Sequence, residues 1–249
     1  MQLLLLIALG PAIALAVYIY RKDGVEHEPV KLLLRLAGFG ALSCVPAALA
    51  EMAIGSVIHS FVPSASYLGA LLDAFVVAAL CEEVCKFWFL NRQTWRHPAF
   101  DYQFDGIVYA VTVSLGFAAL ENVEYVLQYG LGTGMLRAVT SVPGHAVFGV
   151  FMGYYYGFAK LAQYEGDAER EQHYKKLAVV VPLLLHGTYD FFAMTMQFDG
   201  RFTLLFFAFM AALYLIGVQR VNRSAQEDRR VDPDVLRRFS PDFRPPWQP

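Results

Sequence analysis

Charge is scarce in this sequence. Asp, Glu, Lys and Arg make up 17% of its 249 residues, against about 25% in an ordinary soluble domain. The net charge is only −2, which leaves no basic surface for a polyanion, so no nucleic-acid partner is expected. Cysteine is scarce as well. Cys44, Cys81 and Cys85 are three, an odd number, and all lie in apolar segments, which excludes a disulfide framework. They read as small buried hydrophobes, with Cys81 and Cys85, at i,i+4, a weaker candidate metal pair. No GxGxxG, Walker A or HExxH pattern occurs, so the dinucleotide, P-loop and short-spaced zinc-protease signatures are missing. No internal repeat is visible either, which argues against an inverted-repeat transporter.

What fills the space is apolar sequence: 57% of residues are hydrophobic and mean hydropathy is +0.41. A helix needs about 20 mostly apolar residues to cross a bilayer. Seven such runs are expected, at 3–20, 32–57, 67–90, 104–129, 136–162, 177–196 and 202–221. The fold class is therefore all-α, a polytopic transmembrane helix bundle in the cell membrane. Residues 1–20 lack a basic leader region and are followed by Arg21 and Lys22, the pattern of a first span rather than a cleaved signal. Lys and Arg concentrate in alternate connections: Arg21, Lys22 and Lys31, then Arg92 and Arg96, then Lys160, Arg170, Lys175 and Lys176, then the C-terminal tail. The positive-inside rule thus predicts an outer N-terminus and a cytoplasmic C-terminus. Residues 1–221 form the bundle in this reading, and 222–249, polar and ending in "SPDFRPPWQP", form a cytoplasmic tail expected to be extended and flexible.

An ionisable residue within a span costs about 2.5–3.5 kcal/mol on insertion scales, so each marks a candidate functional position. The set is Glu51, Asp73, Glu82, Glu83, Lys86, Glu121, Glu124, His145, His186 and Asp190. In "LCEEVCKF", Lys86 stands three and four residues after the two glutamates. One Glu and one Lys would make a self-neutralising helical ion pair. The second glutamate exceeds that need, and adjacent residues point about 100° apart on a helix. One carboxylate can therefore face a site while the other orients a partner. "GFAALENVEYVL" carries Glu121, Asn122 and Glu124, with Tyr125 one turn beyond Glu121. "SVPGHAVFGVFMGYYYG" carries His145 behind Pro143 and Gly144, a candidate kink, and then Gly149, Gly153 and Gly157 at the spacing of a close-packing stripe. "LLLHGTYDFF" places His186 and Asp190 on one face, where an aspartate can orient an imidazole. Counted from the outer ends, Glu121, His145 and His186 lie about 12–15 Å deep and Glu82 about 22 Å, close enough for one polar chamber.

The EExxK motif of Glu82-Glu83-Val84-Cys85-Lys86, the "FDGIVYAVTVSLGFAALENVEYVL" that follows, Arg137 with "PGHAVFG" around His145, and "LLHGTYD" at His186 resemble, in this order, the PrsW family of intramembrane proteases. The resemblance covers about residues 71–196. That family is related to the CAAX prenyl endopeptidases and the CPBP membrane proteases. The resemblance implies peptide-bond hydrolysis in or beside the bilayer, and a single-span membrane protein as substrate, an anti-sigma factor among the candidates. Two departures from the CAAX relatives matter. Lys86 stands one position closer to the glutamates than their basic residue, and Asp190 replaces their asparagine, so an oxyanion role is not carried over to it.

The mechanism expected from these residues is general-base hydrolysis without a cofactor. Glu82 is the base for a water and Glu83 its orienting partner; His145 holds the water and His186 donates to the oxyanion. Lys86, Glu121, Asn122 and Asp190 are supporting residues. Two alternatives stay open. One is a zinc protease with His145, His186 and Glu82 as ligands. The other is a proton-coupled transporter that uses the same buried groups as a relay.

Overall fold

The computed structural model describes residues 2–231, with side chains from Leu6 onward. Among them are nine α-helices and one π-helical segment, no strand, and a single isolated bridge between Tyr102 and Arg230. The helices are α1 (Gln2–Lys22), α2 (Val30–His59), α3 (Tyr67–Leu72), α4 (Leu80–Thr94), α5 (Asp105–Tyr129), α6 (Leu131–Val139), α7 (Ser141–Tyr164), α8 (Ala168–Thr195) and α9 (Arg201–Gln226). The π segment, Asp73–Ala79, joins α3 to α4 without a break.

Among the described residues, five stretches are long and apolar enough to cross a membrane: Val30–His59, Asp105–Tyr129, Leu131–Tyr164, Ala168–Thr195 and Arg201–Gln226. The first and third expected spans are helical but are not among the five. The third is divided into α3 (6 residues), the π segment (7 residues) and α4 (15 residues), none of which crosses a bilayer by itself. The fifth expected span, 136–162, is two helices that meet at Thr140 (φ −117°, ψ −73°). The Tyr214 hydroxyl of α9 donates to the carbonyls of Val139 and Thr140 at 2.8 Å each, so the junction is anchored. Pro143 therefore lies in the first turn of α7, where a missing N–H costs nothing, and is not the site of a mid-helix kink. Residues 222–226 continue α9, and the chain then folds back: Gln103 N–H donates to the Arg229 carbonyl at 2.8 Å and Val231 N–H to the Asp101 carbonyl at 2.7 Å. The rest of the expected tail, 232–249, lies outside the described residues.

Helix α5 is the centre of the bundle and packs against α1, α2, α4, α6 and α7. Glycine makes those approaches possible. A Cβ on Gly153 would strike the Gly106 carbonyl and Ile107 Cα of α5, and one on Gly157 would strike the Gln103 carbonyl. Gly40 of α2 and Gly116 of α5 give α2 the same close fit. Apolar layers fill the remaining space, with Phe104, Ile107, Val108 and Val111 meeting Val142, Ala146 and Val150. This close approach lets the Ser114 hydroxyl reach the His145 carbonyl at 2.7 Å. Gly153→Val should push α7 off α5 and lower stability by about 1–3 kcal/mol, the usual cost of overpacking. Thermal unfolding in detergent reads this directly, and an unchanged midpoint would contradict it.

Short connections make successive long passes antiparallel. The α2–α3, α5–α6 and α8–α9 connections share one end, where the Tyr67 hydroxyl donates to Asp199 at 2.6 Å. The α1–α2 and α4–α5 connections and the residues after α9 share the other.

Candidate active site

The polar residues of four passes converge beneath the first end. Lys86 is fully buried on α4, and its ammonium donates to Glu82 Oε2 at 2.8 Å, to Glu83 Oε1 at 2.8 Å and to His145 Nδ1 at 3.2 Å. The Phe117 ring lies 4.0 Å from the same nitrogen. Because an ammonium only donates, His145 Nδ1 is the acceptor there. Its Nε2–H then donates to Glu121 Oε2 at 3.0 Å. The network so assigns a neutral imidazole with both nitrogens engaged. Arg137 Nη2 lies 2.7 Å from the same Glu121 oxygen, and its guanidinium stacks 3.9 Å over the Tyr125 ring.

His186 lies between two carboxylates: Nδ1 is 2.9 Å from Glu83 Oε1 and Nε2 is 3.1 Å from Asp190 Oδ2. An imidazolium donating to both satisfies this arrangement. The ring stacks on Phe148 at 4.8 Å with an 18° tilt and meets His145 edge-on at 5.1 Å. Gly187 brings α8 against the π segment, since a Cβ there would strike the Phe75 ring. Single-turn π insertions in α-helices are frequent at functional sites, and this one leads straight into the Glu82–Lys86 turn.

A cavity of about 440 Å³ opens over these groups. Its upper wall carries His59 and Asp73, which pair at 2.8 Å, and also Glu124, Gln128 and Tyr129; its floor carries Glu82, Glu121, His145, His186 and Asp190. Glu82 lines the cavity and Glu83 does not. The Glu83 side chain is 0% exposed and that of Glu82 8%. With Glu82 Oε2 held by Lys86, its other oxygen remains for the cavity. Glu51 lines the cavity as well.

The structure thus brings together Glu82, Glu83, Lys86, Glu121, His145, His186 and Asp190. Asn122 stands apart from them: its amide donates to the Ala8 carbonyl at 3.0 Å, so it anchors α1 and does not line the cavity. His145 has no ring nitrogen left to hold a water, contrary to expectation. Arg137, quoted in the sequence only as part of the family pattern and given no role there, joins the site through Glu121; its signal was slight, a lone cation in an otherwise uncharged connection.

Glu82, Glu83, His145 and His186 offer ligand atoms within 4.8 Å of one another, and by residue type such a group could hold a metal ion. In the arrangement present, Lys86 Nζ already lies among three of these side chains, and every imidazole nitrogen is engaged by a protein group. A divalent ion would have to displace the ammonium. The cysteines are not members of this group, and all three are free thiols.

The family model for the PrsW family intramembrane metalloprotease matches residues 28–216. Protease PrsW of Oceanobacillus iheyensis is 38% identical over 220 residues, covering 87% of this chain and 93% of the relative. Protease PrsW of Geobacillus kaustophilus is 35% identical over 86% of this chain and 89% of its own length. That of Bacillus subtilis is 33% identical over 87% and 93%. No solved structure matches. A matched region that spans most of the chain and contains every residue of the buried cluster leaves one conclusion: this multi-pass membrane protein belongs to the PrsW family of intramembrane proteases.

Proposed function

We propose that the protein hydrolyses a peptide bond of a membrane-anchored substrate with a water activated by Glu82. The observation that carries this reading is the division of labour between adjacent glutamates, Glu82 lining the cavity and Glu83 buried behind it between Lys86 and His186. A water in the cavity gives its proton to the free oxygen of Glu82 while its oxygen attacks the scissile carbonyl. His186 Nε2–H, donated to Asp190 in the resting site, turns to the developing oxyanion. Glu82 then passes its proton to the leaving amine. Glu121 and Arg137 are positioning residues: they hold His145, which holds Lys86, which holds Glu82. Seven spans with the N-terminus outside would place the cavity mouth at the outer leaflet, within reach of a single-span substrate such as an anti-sigma factor.

The family description supplies a second reading, a metalloprotease. The residues as arranged do not fit a divalent ion, because the Lys86 ammonium takes the place among the donors that the ion would need. Co-expression with candidate single-span proteins tests the main reading: cleavage should occur with the wild type and be lost with His186→Ala. Cleavage by the purified protein should survive a chelator. Inactivation by the chelator, reversed by zinc, would establish the metal reading instead. Unchanged cleavage in both Glu82→Gln and His186→Ala would remove the proposed mechanism altogether.

A further inference from the structure

At the opposite end of the bundle lies a second buried acidic group that hydrolysis does not use. Asp23 and Glu28 come from the α1–α2 connection and Asp105 is the first residue of α5; they are 2%, 4% and 1% exposed. Their carboxylates offer oxygens within 4.8 Å of one another. No ion pair joins any of the three to a lysine or arginine among the described residues. Arg230, which follows α9 at this end, pairs with Asp101 at 3.5 Å.

Burial of three carboxylates without a countercharge is costly, yet the group is firmly built. The Tyr109 hydroxyl donates to Glu28 Oε2 at 2.6 Å, and the backbone N–H groups of Asp101 and Tyr102 donate to Asp105 Oδ2 at 3.0 and 2.7 Å. Such outer contacts orient ligands in metal sites. Independently, Asp23 Oδ2 is buried with no hydrogen-bond partner among the described residues. A buried orphan oxygen on a carboxylate of such a group calls for a partner, and a bound ion supplies one.

We propose that Asp23, Glu28 and Asp105 bind a hard divalent cation, Mg²⁺, Ca²⁺ or Mn²⁺, which fastens the α1–α2 connection to the start of the central helix. All donors are oxygen, which selects those ions over zinc. The chain after α9 closes beside the site, where the Phe104 N–H donates to Asp228 Oδ1 at 2.9 Å.

The test uses the full chain in detergent, stripped with EDTA and titrated with Mn²⁺, with the free ion followed by electron paramagnetic resonance. One saturable Mn²⁺ per chain is expected, displaced by Mg²⁺ or Ca²⁺, together with a rise in the thermal midpoint. The isosteric variants Asp23→Asn and Glu28→Gln should each weaken it by more than about 100-fold, beyond the roughly 10–100-fold that loss of an outer contact alone costs. Glu82→Gln should leave it unchanged. No saturable ion in the wild type would overturn the proposal. So would Mn²⁺ binding that persists in both isosteric variants but disappears in Glu82→Gln. A midpoint that rises in Asp23→Asn without any response to metal would show that shared protons hold the cluster.

Discussion

Glu82→Gln should abolish cleavage, lowering the rate by about 1,000-fold or more, within the range that a positioned general base contributes. The substitution is isosteric. Its amide oxygen can still accept from Lys86, now 2.8 Å from Glu82 Oε2, so the bundle should fold and insert normally. What is lost is the capacity to take a proton. Glu83→Gln should also impair cleavage, but by another route. Glu83 is fully buried and holds both Lys86 and His186, so its neutral replacement loosens the imidazole rather than the water. Glu82→Asp separates the two roles. It keeps a carboxylate but withdraws it by one methylene, a displacement worth about 100-fold where reacting groups must align. Activity should therefore fall in the order wild type, Glu82→Asp, Glu82→Gln, in a reconstituted assay with equal amounts of folded protein. If Glu82→Gln keeps a tenth of the wild-type rate or more while Glu83→Gln is inactive, the base is Glu83.

Much of this site is legible in the sequence because membrane-depth charge is expensive. Against an apolar background, Glu82, Glu83, Lys86, His145, His186 and Asp190 need no structure to be conspicuous; the spacing of Lys86 suggests a single ion pair with a second glutamate left over, whereas the ammonium in fact pairs with both. What the sequence conceals is rotation and connection. Asn122 and Glu121 are adjacent, yet about 100° apart on the helix, and that angle sends one amide to α1 and one carboxylate to His145. The break at Thr140 leaves no trace in hydropathy, because both α6 and α7 are apolar. It matters nonetheless, since it lets α6 bring Arg137 to Glu121. Arg137 itself stands in the sequence only as one residue of the family pattern, and the folded chain turns it toward Glu121. The π segment 73–79 is equally silent, having the composition of any apolar helix. Asp23 and Glu28 are hidden for the opposite reason: acids in a connection between spans pass for solvated residues, and their burial depends on α5 and the chain after α9.

The ion network also predicts a stability effect of comparable size. Lys86→Met should destabilise the bundle by about 3–5 kcal/mol, the cost of removing one partner from a buried charge pair. The methionine fills much of the lysine's volume, so the loss is electrostatic rather than a cavity. Without the ammonium, Glu83 keeps only His186, Glu82 keeps only that same ring at 3.9 Å, and His145 Nδ1 loses its donor. The charge left behind, not the lost lysine, is the destabilising element, and this yields a sharper expectation. In the double variant Lys86→Met with Glu83→Gln, one buried charge is withdrawn along with its partner. Stability should recover by more than half, because neutral pairs in dry surroundings are tolerated where lone charges are not. Activity should not recover, since nothing then holds Glu82 against the cavity. Thermal unfolding in detergent with a parallel cleavage assay reads both. A Lys86→Met protein as stable as the wild type would mean that Glu83 takes up a proton instead of remaining charged. Recovery of stability without activity would separate the two tasks of this lysine, neutralising the buried glutamate and positioning the catalytic one.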